Sequence, residues 1–324
     1  MPDGPLVFLK PTDDRDVIRP HALGRFRDLL GASAHSPAML VYLDNASSTA
    51  EDPNENYARE LLELHTLGVD GGYTENDIKA VARLFTGWSV GNLREADRAG
   101  TFIFRQRIHD DSAQTVLGEV IPGGLGKAAG DRVLDLLAAH PSTARFISEK
   151  LVRRFVADDP PADLVDAVAA AYLATDGDIP AMLRVIFASE AFWTAPPKLK
   201  RPWPYVVSLL RAYGADLKFE RPAEIRGFFD GMQALGHVPF LRPSPDGWPD
   251  VAAEWSDNLL NRWNAALLFT FNQVPGIEID LGTVVGALNV PTAPAAIFDG
   301  FAALLLPEPH TWRAARGSSG RGAG

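Results

Sequence analysis

Apolar residues recur every three or four positions between Asn54 and Trp88, in NENYARELLELHTLGVDGGYTENDIKAVARLFTGW. Only an α-helix buries such a spacing on one side, so this stretch constrains the fold before anything else does. Two helices are readable. The first starts at Pro53-Asn54, where the Asn side chain can cap free backbone N–H groups and Glu55 suits the positive end of the dipole. At about 100° per residue, Glu55, Arg59, Glu63, Asn56 and Glu60 share one polar face. Leu64, Tyr57, Leu61, His65, Ala58 and Leu62 fill the apolar arc. Gly68 stops this helix, and Thr66 loosens its last turn. The second begins at Thr74, with Asp77 standing in for the usual Glu or Gln of a capping box. Ile78, Val81, Ala82, Leu84, Phe85 and Trp88 form its buried stripe. A short Gly-rich loop joins the two into an αα-hairpin.

Two features here bear on chemistry. Glu55, Arg59 and Glu63 stand at i, i+4 and i+8, which describes either a solvated face with weak ion pairs or a carboxylate–guanidinium ladder lining a cleft. Periodicity favours the solvated face. His65, inside the apolar arc, is either a core histidine bonded to a carbonyl or a metal ligand or general base.

The 324 residues are 46% hydrophobic, enough for a large core. A formal charge of −10 and a pI near 5.2 argue against a phosphate-backbone binder. With no cysteine, disulfides, thiolate-held iron–sulfur clusters, Cys-ligated zinc and a cysteine nucleophile are excluded. MPDGPLVFLK has neither the basic start nor the apolar length of a signal peptide, and no run of 18 apolar residues occurs. The expectation for the chain as it stands is a soluble protein without a transmembrane segment, with its compartment otherwise open.

Residues 1–18 are acid-rich and expected to be irregular; Arg19 to Ala34 and Pro37 onward read as helices. After Trp88 the period changes. Thr101–Arg105 reads as a strand, with Gln114–Ile121 as its partner. His109-Asp110-Asp111-Ser112 would then cap a β-hairpin on an exposed loop, as an Asx-type turn or as an imidazole–carboxylate site. From Ala128 the pattern is helical again, with a basic face at KLVRRF, a break at Pro160-Pro161, a turn-rich PSPDGWPD loop and a helix over Trp255–Thr270. Arg313–Gly324 reads as a disordered tail. Dinucleotide, Walker, zincin and nucleophile-elbow motifs are all absent.

DRDVIRPHALGRFRDLL, SPAMLVYLDN, the Asn54–Trp88 stretch, His109-Asp110 with Leu117-Gly118, IFASEAFW, KLKRP, and Trp255 with Arg262 follow one another as in the DUF1800 family, which the chain resembles from about Asp16 to Asn264. That family has no assigned reaction. The resemblance implies a mainly α protein, a compact multi-helix array with a small β-hairpin around residues 101–121. It implies a helical domain over 19–310, with sub-lobes 19–125 and 126–310, an irregular 1–18 and a disordered tail at 311–324. Family members usually carry a further upstream helical segment, often behind an export signal, so the expectation here is a truncated N-terminus, whether as a truncated gene product, a mis-called start or a natural short form. The family commonly has Gly and Lys where this chain has Ser112 and Gln114, which removes a cation beside the loop. Two functions stay open. One is a binding or assembly partner in an exported or envelope-associated bacterial pathway, together with a DUF1501-type protein. The other is a metal- or anion-dependent enzyme drawing Glu55, Arg59, Glu63, His65, His109 and Asp110 into one cleft, with His65, His109 and Asp110 as ligands for a divalent or transition metal. The identity of any cofactor is otherwise open.

Overall fold

The computed structural model describes residues 6–306, apart from 93, 95, 96 and 243; the tail expected at 311–324 lies outside the described residues. The chain is mainly helical, with three small two-stranded antiparallel sheets. It divides into two units. The first runs to Pro196 and includes Phe240–Gly247; the second takes Pro197–Pro239 and the chain from Trp248 onward.

The first unit opens with α1 (Leu6–Thr12), a widened π-type segment over Asp13–Ile18 and a short α2 (Arg19–His21). This is where irregular chain was expected. Helix forms because Asp13, only 5% exposed, is satisfied on both sides, by the Lys10 ammonium and by the Ser36 hydroxyl at 2.5 Å. Ser36 precedes α4 (Pro37–Tyr42), and α3 (Phe26–Ala34) lies before it.

The αα-hairpin follows as α5 (Glu55–Glu60) and α6 (Glu75–Leu84). Asn54 Oδ1 accepts from the Tyr57 N–H, and the Thr74/Asp77 capping box closes in both directions. Past Glu60 the helix widens into a π-type segment, Leu61–Thr66, with the Thr66 hydroxyl donating to the Leu61 carbonyl at 2.6 Å. An i→i+5 turn advances less per residue than an α turn. Leu64 and His65 therefore rotate off the core face and end half-buried, whereas Leu61 and Leu62 are fully buried.

The strands pair differently from expectation. β1 (Trp88–Val90) pairs with β2 (Phe102–Phe104), and β3 (Gln114–Val116) pairs with β4 (Glu119–Ile121). The run Gln114–Ile121 is thus a complete hairpin, not one strand facing 101–105. Leu117 and Gly118 form its turn, both at positive φ, as a tight primed turn requires. Leu117 is held there by its N–H donating to Asp77 Oδ1 at 2.6 Å. Four longer helices complete the unit: α7 (Lys127–Ala139), α8 (Pro141–Phe155), α9 (Ala162–Ala174) and α10 (Ile179–Ala188), with a short α11 (Glu190–Thr194).

Trp88 sits in the middle of this core, fully buried and stacked on Phe85 with ring centres 4.5 Å apart. Phe102 meets its face edge-on, and His35 lies 4.5 Å away. The indole presses onto α7 at Gly130, where a Cβ would fall 2.3 Å from Trp88 Cζ2. Glycine at 130 is what allows this close approach.

The second unit holds α12 (Pro202–Ala212), α13 (Pro222–Ala234), α14 (Leu259–Thr270), α15 (Leu281–Leu288) and α16 (Pro294–Leu305). A two-residue ladder joins β5 (Asp216–Leu217) to β6 (Ile277–Glu278).

Candidate functional site

Five of the six candidate residues form two clusters at opposite ends of α6. At its first turn, Arg59 makes a bidentate pair with Glu75, both contacts at 2.8 Å. Glu63 lies 3.6 Å and Glu55 4.0 Å from the same guanidinium. Glu75, which sequence reasoning left out, is the strongest partner and raises the Arg59 pKa further. Three carboxylates around one guanidinium leave it no unmet demand for an external anion. The Tyr73 phenol is pushed up to about 12 by burial and by its bond to Glu63.

At the last turn of α6, His109-Asp110 docks on Arg83 and Thr86. The Asp110 carboxylate accepts from Arg83 at 2.7 Å and, through its other oxygen, from the Ser112 N–H and hydroxyl. This is the Asx-type turn, fastened by a cation. Burial would raise the Asp110 pKa, but the Ser112 and Arg83 bonds outweigh it and hold it below the usual range. His109 and Asp110 are not at an exposed tip, although Asp111 and Ser112 are exposed. The His109 side chain is wholly buried against the edge of Phe104. Nδ1 lies 2.8 Å from the Thr86 carbonyl, to which it donates; Nε2 is buried, 3.7 Å from Asp111 Oδ1, with no hydrogen-bond partner.

Glu75 and Arg83 are eight residues apart on one helix, so the clusters are separated by about 12 Å along its axis. His65 belongs to neither. Its half-buried ring is held neutral, the pKa lowered to about 4, first by burial and then by the Lys150 ammonium. That ammonium sits over Phe146, 4.6 Å from the ring centre. A cation beside an imidazole repels a metal ion as it repels a proton. Among the described residues, no group of three or more His, Asp or Glu side chains is placed to hold a metal.

Thr86 ties the second cluster to the core. It is fully buried; its hydroxyl donates to the Arg83 carbonyl at 2.6 Å and accepts from the Asp110 N–H at 2.8 Å. Thr86→Val keeps the shape but orphans that N–H, an expected loss of ~1–3 kcal/mol measured by urea unfolding. A change below a few tenths of a kcal/mol would show that the loop is held by other contacts.

A second imidazole–carboxylate pair escaped the sequence reading. His35 Nε2 lies 3.1 Å from Asp131 Oδ1, off the line of a good hydrogen bond, and Lys127 binds the other carboxylate oxygen. Burial would raise the Asp131 pKa, but His35 and Lys127 override it and bring it to about 2. Nothing in the sequence links positions 35 and 131, because α3 and α7 meet only in the fold.

In the second unit, His237 packs against both Trp248 and Trp255 in a three-ring cluster, with ring centres 4.9 and 5.1 Å away, and its Nδ1 accepts from the Trp203 N–H. Helix α14 buries a charged side chain beside Phe269 and leaves a second apolar stripe outside. Arg262 is buried, while Leu260, Trp263, Leu267 and the following Phe271 are 73%, 70%, 53% and 64% exposed. These four fall within about 80° of one another around the helix. Leu259 and Leu268 flank them, also exposed.

A family model described as Protein of unknown function (DUF1800) matches residues 5–318, and the chain belongs to that family. No curated protein and no solved structure matches it.

Proposed function

We propose that this DUF1800 chain is a binding or assembly protein that docks another protein on the outer face of α14. The observation that carries the reading is the apolar stripe Leu260, Trp263, Leu267 and Phe271, which projects into solvent. Contiguous apolar surface of this kind marks interaction sites, and tryptophan is the commonest anchor residue at their centres. The charged residues of the first unit favour the same reading. Arg59, Asp110 and Asp131 each answer a neighbour within the fold. Used this way they fasten helices and a loop, and the enzyme alternative lacks a comparable supporting contact. No helix among the described residues is long and apolar enough to cross a membrane. A DUF1501-type protein, the partner that the family resemblance implies, is the first occupant to test.

The experiment mixes purified chain with a DUF1501-type protein and follows complex formation by size-exclusion chromatography and interferometry. Wild type is expected to bind, and Trp263→Asp with Leu267→Asp to lose at least tenfold in affinity. Because both side chains point outward, circular dichroism should not change. Equal binding by the double variant would remove α14 as the surface, and no complex at micromolar concentration would remove this partner.

A further inference from the structure

Arg262 carries a charge into the interior of the second unit, with no ion-pair partner among the described residues. Its residue is only 6% exposed. Nη1 donates to the Lys200 carbonyl at 2.7 Å, and the guanidinium carbon lies 5.5 Å from the Tyr205 ring centre. Nε and Nη2 are buried and have no hydrogen-bond partner in the described residues. Elsewhere the chain uses this same edge to grip carboxylates: Arg15 holds Asp16 with it, and Arg221 holds Glu224. A buried, unpaired guanidinium is strongly unfavourable, and its two parallel N–H donors match a two-oxygen anion.

We propose that the Nε/Nη2 edge of Arg262 anchors an oxyanion, the terminal carboxylate or phosphate group of a small ligand. The surroundings agree with a negative guest. Lys198, Lys200 and Arg201 cluster in the segment that Arg262 grips, with the Asp250 carboxylate 3.6 Å from Arg201 Nε as their acidic neighbour. The Lys200 ammonium bonds a neutral group, the Ser208 hydroxyl at 3.0 Å. Arg201 helps to keep His237 unprotonated, after burial. Burial also lowers the Arg262 pKa, an effect that an arriving anion reverses. The edge is closed to solvent, so an arriving anion requires a local rearrangement of the packing around Arg262, whose carbonyl accepts from the half-buried Tyr205 hydroxyl at 3.0 Å. This site lies on the inner side of α14 and does not depend on what docks outside.

The test titrates full-length chain with inorganic phosphate or with acetate, ionic strength being matched with sodium chloride. Thermal midpoint and tryptophan emission are the readouts. A saturable rise in midpoint with phosphate alone assigns a phosphate guest, and with acetate alone or with both a carboxylate-tolerant one; either supports the site. Arg262→Met should abolish the response, and without anion should melt at or above wild type, because it removes the unpaired charge. Arg262→Lys keeps the charge but loses the fork, and should bind at least tenfold more weakly. This second variant keeps the test open if the first does not fold. No saturable response to either anion, or an equal response in Arg262→Lys, overturns the proposal.

Discussion

Trp88→Ala is expected to destabilise the first unit by about 3–5 kcal/mol, the range for deleting a large buried aromatic side chain. The indole is fully buried, stacked on Phe85, met edge-on by Phe102 and flanked by His35. Its removal strips contacts from α3, α6, β2 and α7 at once, so neighbouring elements cannot all close over the space. Gly130→Val tests the same contact from the other side. With a Cβ 2.3 Å from Trp88 Cζ2, and the ring fully buried against Phe85 and Phe102, it should cost about 1–3 kcal/mol or more. The pair should be non-additive: with Trp88 already alanine, the valine enters the cavity and recovers part of the loss. Guanidinium unfolding of both single variants and the double variant gives the coupling. Simple additivity would mean that Trp88 and Gly130 do not determine each other.

The αα-hairpin was legible because its signals are local. Asn54, the Thr74/Asp77 box and the stripe Ile78, Val81, Leu84, Phe85 and Trp88 do what their spacing implies, and every member of that stripe is 1% exposed or less. What failed depends on distant partners or on phase. The π-type widening at Leu61 leaves no mark in LLELHT, yet it moves His65 out of the core arc. Trp88 closes a helical stripe and also opens β1, so the pairing with Phe102–Phe104 was invisible behind a residue that fits both roles. Leu117-Gly118 is not a usual primed-turn pair; Asp77, forty residues earlier, supplies the bond that holds it.

The candidate site divided in the same way. The Asx turn at Asp110 is a property of four adjacent residues and was readable, whereas Glu75 as the main partner of Arg59, and Asp131 as that of His35, required the fold. Helix α14 shows the limit of periodicity most clearly. An apolar stripe of helical period says that two faces differ, but it does not say which of them is covered. Here Arg262 faces inward and Trp263 outward, and both functional proposals rest on that arrangement.

Acidification from pH 7 to pH 4 is expected to weaken both units through two neutral histidines. The pKa of His65 is lowered to about 4 by burial and Lys150, and that of His237 to about 4 by burial and Arg201. Unfolded, each ring would titrate near ~6.5. Above that value neither state binds the proton and pH has no effect through these groups. Below it the unfolded chain takes up a proton that the folded chain refuses, so stability falls with pH until about 4 and then levels off. Each histidine contributes on the order of 1–2 kcal/mol to this loss, less than the full shift because neither ring is wholly shielded from solvent screening. Asp131 acts in a lower window: its stabilisation is complete above ~4 and is lost as pH falls toward its folded value of about 2. The profile should therefore descend in two stages, each removable separately. His65→Gln should reduce the upper stage for the first unit, where burial lowers the His140 pKa as well, and His237→Phe should flatten it for the second, with Asp131→Asn acting only on the lower stage. Thermal midpoints at half-unit pH steps would resolve them. A flat midpoint between pH 7 and pH 5 in wild type would show that both rings take up protons freely, and would remove Lys150 and Arg201 as the groups that keep them neutral.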